Sequence, residues 1–158
     1  MEQATLPDSL TTLELLLRLS GATLLGMALG LDRELRGFSA GIRTHGMLSL
    51  AAAMVVISGM MLHHAVRDAG GDADPLRTVQ GLYQALGFIG AGLVFTRRGG
   101  VHNLTSAGSI ILAVAIGIAG GLGQWALAGI ATGLGLCVLS LVRVAERWLP
   151  GSGKARED

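Results

Sequence analysis

Side chains capable of chemistry concentrate where one apolar stretch of the chain ends and the next begins. They are Asp32, Arg33, Glu34, Arg36, Arg43, Thr44 and His45, all within residues 30–45. Two carboxylates suffice for a Mg²⁺ site that keeps several waters. In the competing interpretation, Asp32 and Glu34 neutralise the three arginines in a salt-bridged turn. Residues two apart on a helix point to different faces, and guanidiniums oppose a divalent ion, so the metal interpretation has only these two weak candidate ligands.

Other polar residues could complete such a network, but no catalytic set is present in the sequence. The further candidates are Gln84, Asn103 and Thr105. No nucleophile, base and orienting group recur at a plausible spacing, so an enzyme is not expected. The single Cys137 reads as a small core residue. A P-loop of the form G-x-x-x-x-G-K-[ST] is also missing from the sequence, which argues against ATP hydrolysis by this chain.

The elements that must position these residues are five near-continuous apolar blocks. Their predicted bounds are 13–31, 42–62, 79–95, 105–122 and 125–142. About 20 apolar helical residues cross a bilayer core of roughly 30 Å. Continuous rather than alternating apolar residues favour helices over barrel strands. With 51% hydrophobic and 15% charged residues, the chain is predicted to be an all-α polytopic membrane protein, a bundle of five transmembrane helices in a lipid bilayer with no nucleic-acid partner.

The basic residues predict the orientation of this bundle. Nine of the twelve Lys and Arg residues follow the first, third or fifth block, whereas Arg67 and Arg77 follow the second. By the positive-inside rule, residues 1–12 are external and the short tail 143–158 is cytoplasmic. The first block is not expected to be a signal peptide, because no Lys or Arg precedes it. Its own Arg18 is expected to pair with Glu14, four residues earlier.

Glycine is abundant, with 25 residues in 158, and much of it lies inside the apolar blocks. Small residues on one helix face let backbones approach closely in lipid. The predicted packing positions are Gly26, Gly30, Gly87, Gly90, Gly92, Gly117, Gly121, Gly129 and Gly133. The contacts lie within the chain or between copies, and a homo-oligomer is expected. The glycine-rich third block, with Gln80 and Gln84, is either broken, as in transporters, or closely packed.

These segments resemble a known family. Residues 30–37 and 40–45 are similar to the signature after the first span of the MgtC/SapB membrane proteins. Matching pieces follow in order over residues 13–142, and they are residues 74–77, 87–92, 98–101, 104–107 and 115–117. The sequence departs from the family pattern at His102-Asn103, where Arg-Gly is usual, and at Ile111, where an aromatic residue is usual.

The resemblance implies a multi-pass protein of the bacterial inner membrane linked to magnesium limitation and, in pathogens, to virulence. Family members are described as regulators of other membrane complexes, including the F-type ATP synthase. Longer relatives carry a soluble C-terminal domain, so this chain is expected to be a short form. The alternative function is a small transporter or channel for Mg²⁺, another cation or a small solute. No cofactor is expected, and Mg²⁺ is possible as ligand or substrate.

Overall fold

A computed structural model of the chain describes residues 10–38, 40–97 and 100–148, without the side chains of 95–102 and 141–148. The described residues form five helices in chain order: α1 (Thr12–Glu34), α2 (Ile42–Asp68), α3 (Leu76–Leu93), α4 (Leu104–Gly121) and α5 (Trp125–Trp148). Between α3 and α4, β1 (Phe95–Arg97) pairs antiparallel with β2 (Gly100–His102), with Thr96 opposite Val101. The predicted helical fold class is confirmed, and this short hairpin is an addition to it.

The helices differ in how well they suit a bilayer. Helices α1, α2 and α4 are each long and apolar enough to cross a membrane. In α5 the stretch Trp125–Ser140 is a shorter apolar helix. Helix α3 has a polar start and contains two glutamines, and it is not among the helices that meet this hydropathy requirement. The orientation of the termini stays a prediction.

Several helix ends lie away from the ends of the apolar blocks. Helix α1 continues to Glu34, so Asp32 and Arg33 belong to its last turn and not to a loop. Helix α2 continues to Asp68, beyond the end of the second predicted block at residue 62. Charged residues end an apolar block without ending a helix, because Arg and Glu are good helix formers. In the other direction, α3 ends at Leu93, and Phe95 at the end of the predicted span lies in β1.

Helix α4 lies at the centre of the bundle. On one side Ile110 and Val114 pack with Val56 of α2 and Leu86 of α3 in one apolar cluster. On the other side, the second cluster joins α1, α4 and α5, and its members are Leu29, Ala113, Ile116, Ala119 and Ala128. Most of α4 is therefore enclosed by the other helices.

Glycines set the close approach of α1 and α4 to α2. A Cβ at Gly26 would lie 2.6 Å from the Ser49 Cβ and 2.8 Å from the His45 carbonyl oxygen. At Gly117 it would overlap the Ser49 carbonyl oxygen. The other two predicted packing glycines of these helices are similarly confined: a Cβ would lie 2.6 Å from the Gly41 carbonyl oxygen at Gly30 and 2.8 Å from the Ala53 carbonyl oxygen at Gly121. Side chains at these positions would force the helices apart.

At the remaining predicted packing glycines an added Cβ would meet open space, although Gly90 itself is buried. No heavy atom of the described residues comes within 4 Å of a Cβ built at Gly87, Gly90, Gly92, Gly129 or Gly133. Against the described residues, none of these positions therefore makes a contact that requires glycine. Helix α3 is also unbroken from Leu76 to Leu93, so the broken-span interpretation does not describe it.

Candidate functional site

Arg33 is the centre of a buried polar cluster at the C-terminal end of α1. Its side chain is 1% exposed. One guanidinium nitrogen, Nη2, donates a hydrogen bond to the Ser106 hydroxyl at the start of α4, and the guanidinium carbon lies 3.9 Å from the centroid of the Phe38 ring. A guanidinium stays protonated in proteins, so burial requires such polar and cation–π contacts to compensate its lost hydration. Arg33 thereby ties the end of α1 to α4.

His45 extends the cluster into the first turn of α2. The ring is fully buried, with Nε2 at 3.1 Å from the Ser109 hydroxyl and Nδ1 at 2.9 Å from the Gly41 carbonyl oxygen. A carbonyl only accepts, so Nδ1 carries a proton and donates it. The Ser109 hydroxyl in turn lies 2.9 Å from the Ser106 carbonyl oxygen. A chain of polar groups thus runs from α2 to the start of α4.

Glu34, at the end of α1, stabilises the first turn of α2 through a direct hydrogen bond. The N-cap residue Gly41 has no side chain to offer, and Glu34 Oε2 accepts a hydrogen bond from the Ile42 backbone nitrogen at 2.8 Å. The first N–H groups of a helix lack partners within the helix, and its dipole favours a negative charge there. The carboxylate occupies the space that a Cβ at Gly41 would need, so the glycine makes this contact possible.

Asp32 and Arg36 connect α1 to α5. The two residues lie about one helical turn apart at the C-terminal end of α1, and their side chains form an ion pair. Arg36 also donates to the Leu139 carbonyl oxygen at 3.2 Å and to the Ser140 hydroxyl at 2.9 Å, and that hydroxyl lies 3.4 Å from Asp32 Oδ1. Both side chains are less than one-fifth exposed, so screening by water is limited.

The two carboxylates therefore face different partners, as their spacing predicts. Asp32 faces α5, whereas Glu34 faces the N-terminus of α2. Among the described residues there is no group of three or more His, Cys, Asp or Glu side chains that could hold a metal ion. The Mg²⁺ site at Asp32 and Glu34 stays a hypothesis.

The other predicted residues differ in exposure. Arg43 and Gln84 are exposed, and Thr44 is half-buried. Thr105 is exposed in the first turn of α4. Asn103 adopts a left-handed backbone conformation with φ of 63°, and its side chain donates to the Leu93 carbonyl oxygen at 3.2 Å, which closes the hairpin against α3.

The serines of the cluster were not predicted. Ser106, Ser109 and Ser140 supply the hydroxyls that meet Arg33, His45 and the Asp32–Arg36 pair. They lie inside apolar blocks, where serine reads as one more small residue. One signal was available: Ser106 and Ser109 are three apart and hence share a face of α4.

A second polar contact lies at the opposite end of the bundle. Arg18 pairs with Glu14 as predicted, and it also donates to the carbonyl oxygen of Gly121 at 3.0 Å. A cation at a helix C-terminus is favourable, so Arg18 caps α4. Beside it lies a cavity of about 170 Å³, which Met60 and His64 also line.

Comparison with known proteins agrees with the helical membrane fold. The model of the MgtC family matches residues 19–148. Protein MgtC of Brucella abortus is 31% identical over 125 residues, which are 79% of this chain and 50% of the relative. Protein SrpB of Synechococcus elongatus is 35% identical over 84% of this chain and 78% of its own length. For the putative magnesium transporter YhiD of Escherichia coli the identity is 32%, over 73% of this chain and 54% of the relative.

The chain spans about half the length of the MgtC and YhiD relatives that it matches. No solved structure matches it.

Proposed function

Since the chain belongs to the MgtC family, as the match over residues 19–148 shows, we propose that it is a multi-pass inner-membrane protein that regulates other membrane complexes under magnesium limitation. Membership makes it a membrane protein linked to magnesium homeostasis. The regulatory role, the inner membrane and the cytoplasmic side of the polar cluster are the proposed part.

One observation carries the proposal: the charges at the end of α1 each bond to another group of the protein. Asp32 pairs with Arg36, Arg33 binds Ser106, and Glu34 caps α2. A charged group in a transport pathway has to be available to its cargo or to water. Here buried Arg33 and half-buried Asp32 and Arg36 instead join α1 to other helices, and exposed Glu34 is held at the start of α2. The geometry supports a network that holds the bundle together.

The outward face of α5 is available for contact with another protein. Gly129 and Gly133 are one turn apart and open, and Ile130, Leu134 and Val138 beside them are each about 60% exposed. Small residues flanked by large aliphatic ones suit the close packing of a second membrane helix. We propose that a helix of the regulated complex binds here. The family resemblance makes the F-type ATP synthase the first partner to test.

Transport remains the alternative function, favoured by the name of the YhiD relative, a putative magnesium transporter. It requires that Mg²⁺ displace Arg36 from Asp32 during the transport cycle. It therefore predicts Mg²⁺ flux across a membrane that the Asp32→Asn substitution abolishes.

The regulatory proposal is tested by reconstituting the protein with the F-type ATP synthase of the same bacterium and measuring ATP-driven proton pumping with a pH dye. The wild-type protein is expected to slow pumping, and the Gly129→Leu, Gly133→Leu double variant is expected to lose this effect. Gly108→Leu is a matched control, because Gly108 is also exposed and a Cβ there has no described heavy atom within 4 Å. Pumping that the wild type leaves unchanged, or an equal loss with Gly108→Leu, would overturn the proposal.

A further inference from the structure

Helix α3 has its polar face turned away from the bundle. Its apolar side packs on the core through Leu86, with Val79, Leu82 and Leu93 beside it. On the opposite side, residues recur at intervals of four, three and four, and all are exposed: Gln80, Gln84, Gly87 and Ala91. At about 100° per residue, these four positions form one face centred about 130° from Leu86 around the helix. We name them the glutamine face.

Lipid acyl chains cannot form hydrogen bonds with the side chains of the glutamine face. Each glutamine amide has two N–H donors and one carbonyl acceptor, and no described residue hydrogen-bonds to Gln80 or Gln84. Leaving these groups in hydrocarbon costs free energy, whereas amides that meet across helices stabilise association. A lipid-facing surface is expected to be apolar. The glutamine face therefore requires a partner that offers hydrogen bonds.

We propose that a second copy of this chain covers the glutamine face, through a two-fold axis along the membrane normal. Around such an axis each residue near the centre meets the same residue of the other copy. A charged side chain would repel its equivalent, but an amide donates and accepts and so complements itself. Between Gln80 and Ala91 the sequence has no charged residue, and the nearest, Arg77, lies in the first turn of α3.

The small residues of the glutamine face allow the α3 helices of two copies to pack closely. A Cβ at Gly87 has no described heavy atom within 4 Å, and Ala91 lies one turn further on the same side. Two α3 helices can therefore come close enough for their glutamine amides to meet. This interface is separate from the partner face proposed on α5, so either proposal can fail without the other.

Cysteine cross-linking in native membranes tests this interface. In a Cys137→Ser background, the Gln84→Cys variant is expected to form a disulfide-linked dimer on mild oxidation. Ala85→Cys is the matched control, since Ala85 is exposed on the same helix but points about 100° away. Equal cross-linking of both variants, a link from Gln84→Cys to a different protein, or labelling of monomeric Gln84→Cys by a membrane-impermeant maleimide would overturn the proposal.

A second measurement tests the amides themselves. The Gln80→Leu, Gln84→Leu double variant is expected to raise the dimer dissociation constant in lipid by about tenfold, because the inter-helix hydrogen bonds are lost. Gln84→Asn keeps an amide and is expected to retain most of the association. A double variant that is folded by circular dichroism and dimerises as tightly as the wild type would contradict the proposed role of the amides.

Discussion

The burial of Arg33 shows that the polar cluster depends on contacts between side chains. A permanently charged group that is 1% exposed is expensive, and it is stable only while its partners remain. Its contacts with Ser106 and Phe38 come from two different segments, the start of α4 and the turn after α1. At the scale of single residues, the cluster is therefore a structural network in which each partner matters.

Removing the hydroxyl of Ser106 tests this dependence. Ser106→Ala is expected to lower the free energy of unfolding by about 1.5–3 kcal/mol, because the buried guanidinium loses an acceptor. Ser20→Ala is the control: its hydroxyl bonds to the Leu16 carbonyl oxygen on an exposed surface, so the change is expected within about 0.5 kcal/mol. Unfolding by denaturing detergent in mixed micelles measures both. Equal effects would contradict the structural importance of the Arg33 contact.

Glu34 offers a second test among single residues. Glu34→Ala is expected to destabilise the protein by about 1 kcal/mol, since the Ile42 N–H at the start of α2 loses its acceptor. Glu34→Gln keeps a carbonyl acceptor and is expected to restore part of that loss. The same unfolding measurement, with amide hydrogen exchange at Ile42, checks both variants. Unchanged exchange in Glu34→Ala would show that the cap contributes nothing.

The predicted packing glycines fall into two sets. In the packed set an added Cβ would overlap a neighbouring helix, and in the open set it would meet no described atom within 4 Å. Gly26 lies against α2, where a Cβ would meet Ser49 and the His45 carbonyl oxygen, whereas Gly133 of α5 lies in open space. The sequence predicted a packing role for both, because both sit at four-residue intervals with other small residues. Which helices are neighbours depends on the whole bundle and cannot be read from one helix.

Alanine substitutions separate the two sets. Gly26→Ala is expected to destabilise the bundle by about 1–3 kcal/mol, because the added methyl overlaps backbone that cannot move aside easily. Gly133→Ala is expected to leave the stability unchanged or slightly raised, since alanine is the better helix former. The midpoint of thermal unfolding in detergent ranks the variants. The reverse order would mean that the contact between α1 and α2 is not where the structure places it.

For the whole molecule, the apolar blocks were enough to predict a helical membrane protein, and the motif at residues 30–45 was enough to locate the polar cluster. The rest required the packing of helices distant in sequence. Arg36 contacts Ser140 across more than 100 residues, and His45 meets Ser109 in another helix. Gln84 was grouped with the cluster because it is polar and Arg43 because it lies in the motif, yet both side chains are exposed.

We propose that the charges of this cluster hold the helices together and do not carry an ion. This proposal is tested most directly by Mg²⁺ flux into proteoliposomes that contain a Mg²⁺-sensitive dye, with the wild-type protein, Asp32→Asn and empty vesicles compared under the same gradient. An ionophore at the end of each run shows that the dye responds. Folded wild-type protein is expected to give no flux above empty vesicles. Saturable flux that Asp32→Asn abolishes would contradict the proposal.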